Sequence, residues 1–546
     1  MQAGKTVLPA NYVLSNVNLP LLEPDTLNNS ESRPNALQIR NGVIVWIGKA
    51  GTRGAPLDGA GRSSVLVKDL GGATVVPGFI DNHVHLAVTG DLASQPRLNG
   101  MSFPQIRELL QQRHAETAPR ETLRAYGWDY PAWPQPHRSL LDEISSERPI
   151  VLFQFSGHAA CVNSAMLRKL GIHPGTPDPP DGSIERDEYG EPTGILREGA
   201  SRPLHIERMR HVNRNRGLVE SLLEAGQNVL SRHGITSVGD NTWYAGSAFA
   251  LARLRRKGRL RCRVSSWSLG SAPRERFLMR FVRYDEEYLR QGPVKYFLDG
   301  AFSSRTALLL EPYRGEPDNY GTPVLHGQAL HQQLLRMSRQ GRQGAFHAIG
   351  DAAVRNFADA VENLAARGVP TQECQHRLEH CQLVSAGDMT RLARLGVLVA
   401  AQPHALSSPQ KDTQLLGAER ASRAYPYRSL LDAGVRLSFG SDSPAEESFE
   451  PLEGIRLACL RPGPERITVR EAIECYTRGS AHAEGTENWK GSIAVGKAAD
   501  LAVLSHDPLE LDRTGDETAL RQAVVQATLV AGKLTYEQAP ETWVSM

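Results

Sequence analysis

Cysteine is scarce in this chain. Six residues, at positions 161, 262, 374, 381, 459 and 475, are spread over 546 with no CxxC pair, so a disulfide-stapled secreted scaffold is excluded and reduced, structural thiols are expected. Long apolar runs are missing as well: the stretch 395–401 (LGVLVAA) falls far short of the roughly 18 residues that mark a membrane span. The opening residues, Met1-Gln-Ala-Gly-Lys-Thr6, lack the apolar stretch of an export signal, which makes the cytoplasm the expected location. No sign of charge dominates either. With 62 Lys+Arg against 60 Asp+Glu, a formal net charge of +2 leaves no broad field for nucleic acid or an anionic membrane surface. The expected partner is a small molecule, with a homodimer left open.

What is there reads as two textures. Residues 11–19, 36–48 and 65–69 are short β-rich pieces, and Asn41-Gly42 has the sequence of a tight hairpin turn. Residues 499–504 and 522–536 repeat that texture, with a turn at Ala531-Gly532-Lys533. Short strands cannot bury a core separately, so both termini are expected to pair into one β-sandwich. From 74 to 484 apolar β-runs alternate with helical stretches such as 217–233. Candidate strands at 74–80, 150–155, 235–239, 262–267, 293–299, 344–347, 377–380, 396–402 and 435–440 suggest a closed α/β barrel. The Pro- and Gly-rich stretch 173–198 breaks the rhythm and reads as part of an insertion over the barrel mouth. The expected division is 1–73 and 485–546 for the sandwich and 74–484 for the barrel, with the insertion around 100–200.

The strongest local signal is 77–85, PGFIDNHVH, where an apolar strand ends in His-x-His. Residues i and i+2 on a strand point to one side, so His83 and His85 converge on one point, as ligands of a divalent metal do. Three later apolar runs each end in a ligand-type residue: His347, His380 and Asp442. Any one of these reads equally well as a core histidine or a helix cap; together they do not. The fifth element is 294–299, VKYFLD, whose period of two places Lys295, Phe297 and Asp299 on one face. A buried Lys295 would have a lowered pKa and could take up carbon dioxide as a carbamate bridging two metal ions, or else pair with Asp299 at a strand edge. His376, four residues before His380, mimics a helical zinc pair, but the strand reading argues against it.

PGFIDNHVH, VKYFLDGAFSSRTALLLEPY, FHAIGD, RLEHCQ, FGSDSP and GSIAVGKAADLAVL together resemble, in order and over nearly the whole chain, the motifs of the amidohydrolase superfamily. SGHAACVNS and PPDGSIERDEYGEPTGILRE are similar to the insertion of the amidohydrolase family 3 branch, which contains N-substituted formamide deformylases. The resemblance implies a distorted (β/α)8 TIM barrel plus a β-sandwich made from both termini. It implies that His83 and His85 hold a first metal ion, His347 and His380 a second, and that carbamylated Lys295 bridges them. Asp442 would complete the first site and shuttle the proton, and the metal would be zinc, as one ion or two.

The implied chemistry is metal-dependent hydrolysis of a linear amide, such as an N-formyl or N-acyl amine, by metal-bound hydroxide, with His380 as an added donor. The resemblance places Trp128, Asp129, His158, Ser304, Arg305 and His404 around the barrel mouth as substrate contacts. Trp128 reads equally as a core residue and Arg305 as a structural ion pair. The alternative is a mononuclear-metal deaminase or cyclic-amide hydrolase of the same superfamily. Such deaminases carry His-x-x-Glu after a ligand strand, whereas His347 is followed by Ala348, Ile349, Gly350 and Asp351. A non-catalytic scaffold is the second alternative, and it would leave a set of buried polar groups poorly satisfied.

Overall fold

The computed structural model describes residues 8–22, 33–50, 65–118, 121–154, 158–446 and 448–539. The chain divides into two compact units, Met1–Thr89 with Gly226–Met546, and Gly90–Ala225.

The larger unit is built on eight parallel strands: β1 (Phe79–Val84), β2 (Ile235–Asp240), β3 (Arg263–Leu269), β4 (Leu289–Phe297), β5 (Gly344–Ala348), β6 (Arg377–His380), β7 (Leu398–Ala401) and β8 (Leu437–Phe439). They pair in sequence order. Strands covered on both faces are expected to be apolar throughout, and β7, Leu-Val-Ala-Ala, is. β1 departs from this, because Asp81, Asn82 and His83 are all buried within it. Helices cover the outside. Asp351–Ala365 buries Val354, Phe357, Ala358, Val361 and Leu364, one stripe at spacings of three and four, and Phe357 packs on Phe346 of β5. The edge strands β8 and β1 meet through Asp442 N–H to the His83 carbonyl at 2.7 Å and through Ser441, whose N–H and hydroxyl donate to Asp81 at 2.8 and 2.6 Å. This is the (β/α)8 barrel expected from the sequence.

Two four-stranded sheets make the sandwich. One runs Val43–Gly48, Ala36–Arg40, Asn11–Ser15, Leu66–Asp69; the other Lys533–Glu537, Val525–Val530, Leu501–Leu504, Thr74–Pro77. Their inner faces share one core that includes Tyr12, Leu14, Ile39, Ile44, Leu501 and Leu529. The hairpin at Asn41-Gly42 has φ of 50° and 81°, the left-handed pair such a two-residue turn needs. The expected run 74–80 is divided at Gly78: Thr74–Pro77 joins the sandwich and β1 opens the barrel. Only glycine fits there, since a Cβ would stand 2.2 Å from Thr236 Cγ2. Asp500, just before Leu501–Leu504, grips Arg263 of β3 with both oxygens at 2.6 and 3.0 Å.

Gly90–Ala225 carries its own five-stranded sheet, ordered Gly182–Arg186, Pro192–Glu198, Ala159–Val162, Ile150–Gln154, Leu123–Trp128. The apolar run at 150 therefore belongs here and not to the barrel, a correction to the expected strand set; a strand buried on both faces reads the same in either sheet. All six cysteines are unpaired and buried. Among the described residues no helix is long and apolar enough to cross a membrane.

Candidate metal centre

His83 ends β1 in the barrel interior and His85 follows it by two, so both rings face the same space. Across the seam from β8, Asp442 sits in a left-handed conformation, φ 54°, that turns its carboxylate toward them. Its Oδ1 lies 3.3 Å from Nε2 of His83 and 3.1 Å from Nε2 of His85, and one donor atom from each of the three residues falls within 4.8 Å of the others. The opposite ring nitrogens are fixed: His83 Nδ1 donates to Glu379 Oε2 and His85 Nδ1 to the Asn241 carbonyl, both at 2.6 Å. Acceptors on Nδ1 leave the lone pair on Nε2, aimed at the shared space.

His347 and His380 extend this group from β5 and β6. Their ring centroids are 4.3 Å apart, and His380 stands 5.4 Å from His83. His347 Nε2 donates to the Gly300 carbonyl at 3.0 Å, which leaves Nδ1 as its free donor atom. Lys295 of β4 is 2% exposed, and burial lowers its ammonium to about 8 against the opposing pull of Glu379 and Asp442. Asp299 does not partner it. That carboxylate lies past the end of β4 and accepts backbone N–H groups from Leu308, Ile349 and Gly350 at 2.8–3.0 Å. Burial, with Lys295 second, pushes His347 down to about 3, and burial with His347 beside it holds His380 well below its ordinary value. Burial opposes ionisation of Asp442, but His83 and His85 outweigh it and hold the carboxyl well below the usual range. The result is a cluster of imidazoles around the Asp442 carboxylate, in which burial keeps His347 and His380 neutral.

The sequence profile of the amidohydrolase family matches residues 66–536. The chain belongs to that family. This amidohydrolase is 31% identical over 540 residues to the N-substituted formamide deformylase of Arthrobacter pascens, an alignment covering 94% of this chain and 97% of that protein. It is 30% identical over 551 residues to protein LONG AFTER FAR-RED 3 of Arabidopsis thaliana, covering 94% and 90%. Among solved structures, an uncharacterized metal-dependent hydrolase from Pyrococcus furiosus matches with a TM-score of 0.75 at 29% identity, over 91% of this chain and 100% of that one. The amidohydrolase is thus an enzyme that hydrolyses carbon–nitrogen bonds, from a metal-dependent superfamily. Its donors fit a divalent ion: two imidazole nitrogens and a carboxylate, with Asn241 Oδ1 buried next to them and lacking any hydrogen-bond partner.

Sequence reasoning missed Glu379. Period two places Glu379 and His380 on opposite faces of β6, yet both point inward, because His380 has φ 73° and the strand ends in a left-handed kink. Glu379 is fully buried, and Arg377 donates to it and, at 2.7 and 2.9 Å, to the side chain and carbonyl of Asn82. The signal was present: Arg377 and Glu379 stand two apart, on one face of a segment read as an inner strand of the barrel, where a charge needs a reason just as Lys295 does.

The expected substrate contacts divide between the two units. In Gly90–Ala225, Trp128 is fully buried in the core, packed on Tyr130 and Trp133 and donating to the Leu152 carbonyl at 2.8 Å, which fits the core reading that its sequence also allowed. Asp129 caps a turn by accepting from Ala132 N–H, and exposed His158 pairs with Glu198 at 3.0 Å. In the larger unit, Arg305 is committed to Glu316, and Ser304 shares a 2.6 Å hydrogen bond with Thr306. His404 is buried and its Nε2 donates to the Glu450 carbonyl at 3.0 Å. His376 sits at the other end of β6, bonded to Ser338 and Gly344, away from the ligand cluster.

Proposed function

We propose that this amidohydrolase cleaves the carbon–nitrogen bond of a linear N-formyl or N-acyl amine. The observation that carries the reading is the position of Asp442, one oxygen of which faces both His83 and His85 from across the barrel seam. His83, His85 and Asp442 would hold a first divalent ion, with zinc the best match to imidazole and carboxylate donors, and His347 and His380 a second. When bound, such an ion supplies Lewis acidity for the scissile carbonyl and lowers the pKa of water toward neutrality.

The rest falls to side chains. Asp442, kept ionised by its imidazole neighbours, accepts the proton of the attacking water and returns it to the nitrogen as the C–N bond breaks, so that amine and carboxylic acid leave. Glu379 and the Asn241 carbonyl hold the His83 and His85 rings so that Nε2 keeps its direction through the cycle. His380, buried and neutral, would use the ring nitrogen not given to the second ion to donate to the carbonyl oxygen as negative charge builds on it. Lys295, its ammonium lowered by burial to about 8, would as the neutral amine take up carbon dioxide with loss of one proton, and the resulting carbamate would supply an anionic ligand to the ions. The small net charge suits a neutral substrate, and the similarity to a formamide deformylase favours small acyl groups.

The test is a panel of N-benzylformamide, N-acyl amino acids, cyclic imides and aminated heterocycles, scored for released amine and for ammonia. Amine from the linear amides is expected. Ammonia from the heterocycles without amine from any amide would replace this reading with a deaminase. Asp442→Asn is expected to keep most of its metal and lose on the order of 10²–10⁴ in kcat; near-wild-type turnover would remove Asp442 from the proton path.

A further inference from the structure

The four imidazoles of the centre neighbour one another in turn. Ring centroids are 5.8 Å apart from His85 to His83, 5.4 Å from His83 to His380 and 4.3 Å from His380 to His347. Two of the four, His85 and His347, also touch an aromatic ring that opens to water. Trp243, three residues past β2, lies 4.7 Å from the His85 ring at an interplanar angle of 54°; Phe297, the last residue of β4, lies 5.4 Å from the His347 ring at 39°. Both rings belong to the barrel unit, and both are open to water, Trp243 at 55% and Phe297 at 40% exposure. Exposed rings in contact with buried histidines of the centre offer apolar surface to a molecule bound there.

The two rings differ in their chemical neighbours. Asp442 Oδ1 is 3.1 Å from His85 Nε2 and 3.3 Å from His83 Nε2, so on the proton path proposed above the departing nitrogen would lie on the His83–His85 side, where Trp243 packs on His85. On the same reading the carbonyl would lie on the side of His380 and His347, where Phe297 packs on His347. We infer that Trp243 and Phe297 set specificity: the indole covers an apolar substituent on the leaving amine, and the phenyl ring covers the chain on the acyl side. The inference rests on the amide-hydrolase reading for its choice of sides. The substrate class it names is a neutral amide with an aryl or alkyl group on nitrogen.

The experiment has two arms on the metal-loaded protein. In the first, kcat/KM is measured for N-methylformamide, N-benzylformamide and N-methylhexanamide. Trp243→Ala should lower the benzyl-to-methyl ratio about tenfold, mostly through KM, as expected for one aromatic contact, with Trp243→Phe recovering most of it. Phe297→Ala should lower the hexanamide-to-formamide ratio instead. In the second, benzylamine and methylamine binding is measured by calorimetry without turnover, and Trp243→Ala should weaken benzylamine about tenfold relative to methylamine. If amides are hydrolysed but neither ratio moves, or both variants move the same ratio, the specificity assignment is wrong. If no amide is hydrolysed while benzylamine binding still depends on Trp243, the subsite stands and the amide reading falls. Equal benzylamine binding by wild type and variant overturns the subsite whatever the reaction.

Discussion

Replacing Glu379 by Gln changes one atom and is expected to disturb two groups. In the wild-type protein its Oε2 accepts from His83 Nδ1 at 2.6 Å and its Oε1 accepts from Arg377 Nε at 2.5 Å, with no water contact on either side. A glutamine offers only one acceptor. Whichever way its amide turns, an N–H group meets either the imidazole N–H or the guanidinium N–H. If it faces His83, the imidazole must move its proton to Nε2 and loses the lone pair aimed at Asp442. If it faces Arg377, a fully buried guanidinium loses its Nε partner and its charge partner, keeping Asn82 and the 3.2 Å contact of Nη2 with the oxygen at the Oε2 position. Removing one member of a buried ion pair costs about 3–5 kcal/mol, and losing the group that orients a metal-ligating histidine costs about 10–100-fold in metal affinity. The assays are calorimetric unfolding and zinc competition against a chelator, run on Glu379→Gln and on Glu379→Asp, which keeps the charge. Wild-type zinc affinity together with an unchanged Tm in Glu379→Gln would refute the orienting role.

Three further outcomes follow from the geometry. Lys295→Ala should hold less metal than wild type while keeping the ion at His83, His85 and Asp442, with short carboxylic acids restoring part of the loss; unchanged metal content would exclude a bridging carbamate. Asp500→Asn should destabilise the barrel-to-sandwich junction by about 3–5 kcal/mol, because Arg263 is buried against both carboxylate oxygens, and calorimetry showing a wild-type Tm would contradict this. Burial pushes His376 and His404 down to about 4, so each stays neutral in the folded chain while the unfolded chain takes up a proton below its ordinary pKa of about 6.5. Their contribution is therefore complete above about 6.5 and is lost as pH falls toward 4, by at most about 1.4 kcal/mol per pH unit for each. Urea unfolding between pH 7 and 5 should show a shallower loss in His376→Gln than in wild type, and parallel curves would count against the assignment.

Much of this was legible in the chain because barrel chemistry concentrates at strand ends. His83, His85, His347, His380 and Asp442 each close or follow an apolar run, and the structure gathers all five, with Lys295 inward on β4. Other features could not be read from period and composition. The inward turn of both Glu379 and His380 depends on one positive φ, which alternation along a strand does not encode. The run at 150 was placed in the wrong sheet because burial on two faces looks alike in a barrel and in the five-stranded sheet. Trp243 lies outside every motif quoted above and Phe297 inside one that draws attention to Lys295 instead; contact with His85 and His347 is what marks the two rings. The partners of Arg305 and Ser304, Glu316 and Thr306, could not be read from spacing, because they are set by the folding of one loop.

The seam between β8 and β1 also governs when the enzyme can become active. Asp442 meets His83 only after the last barrel strand has docked beside the first, and the N–H of Asp442 is itself one of the bonds that fastens them. A nascent chain still emerging from the ribosome, or one clipped before that strand, holds the two histidines without their carboxylate. On the proposed role of Asp442, catalytic competence would thereby wait for the barrel to close.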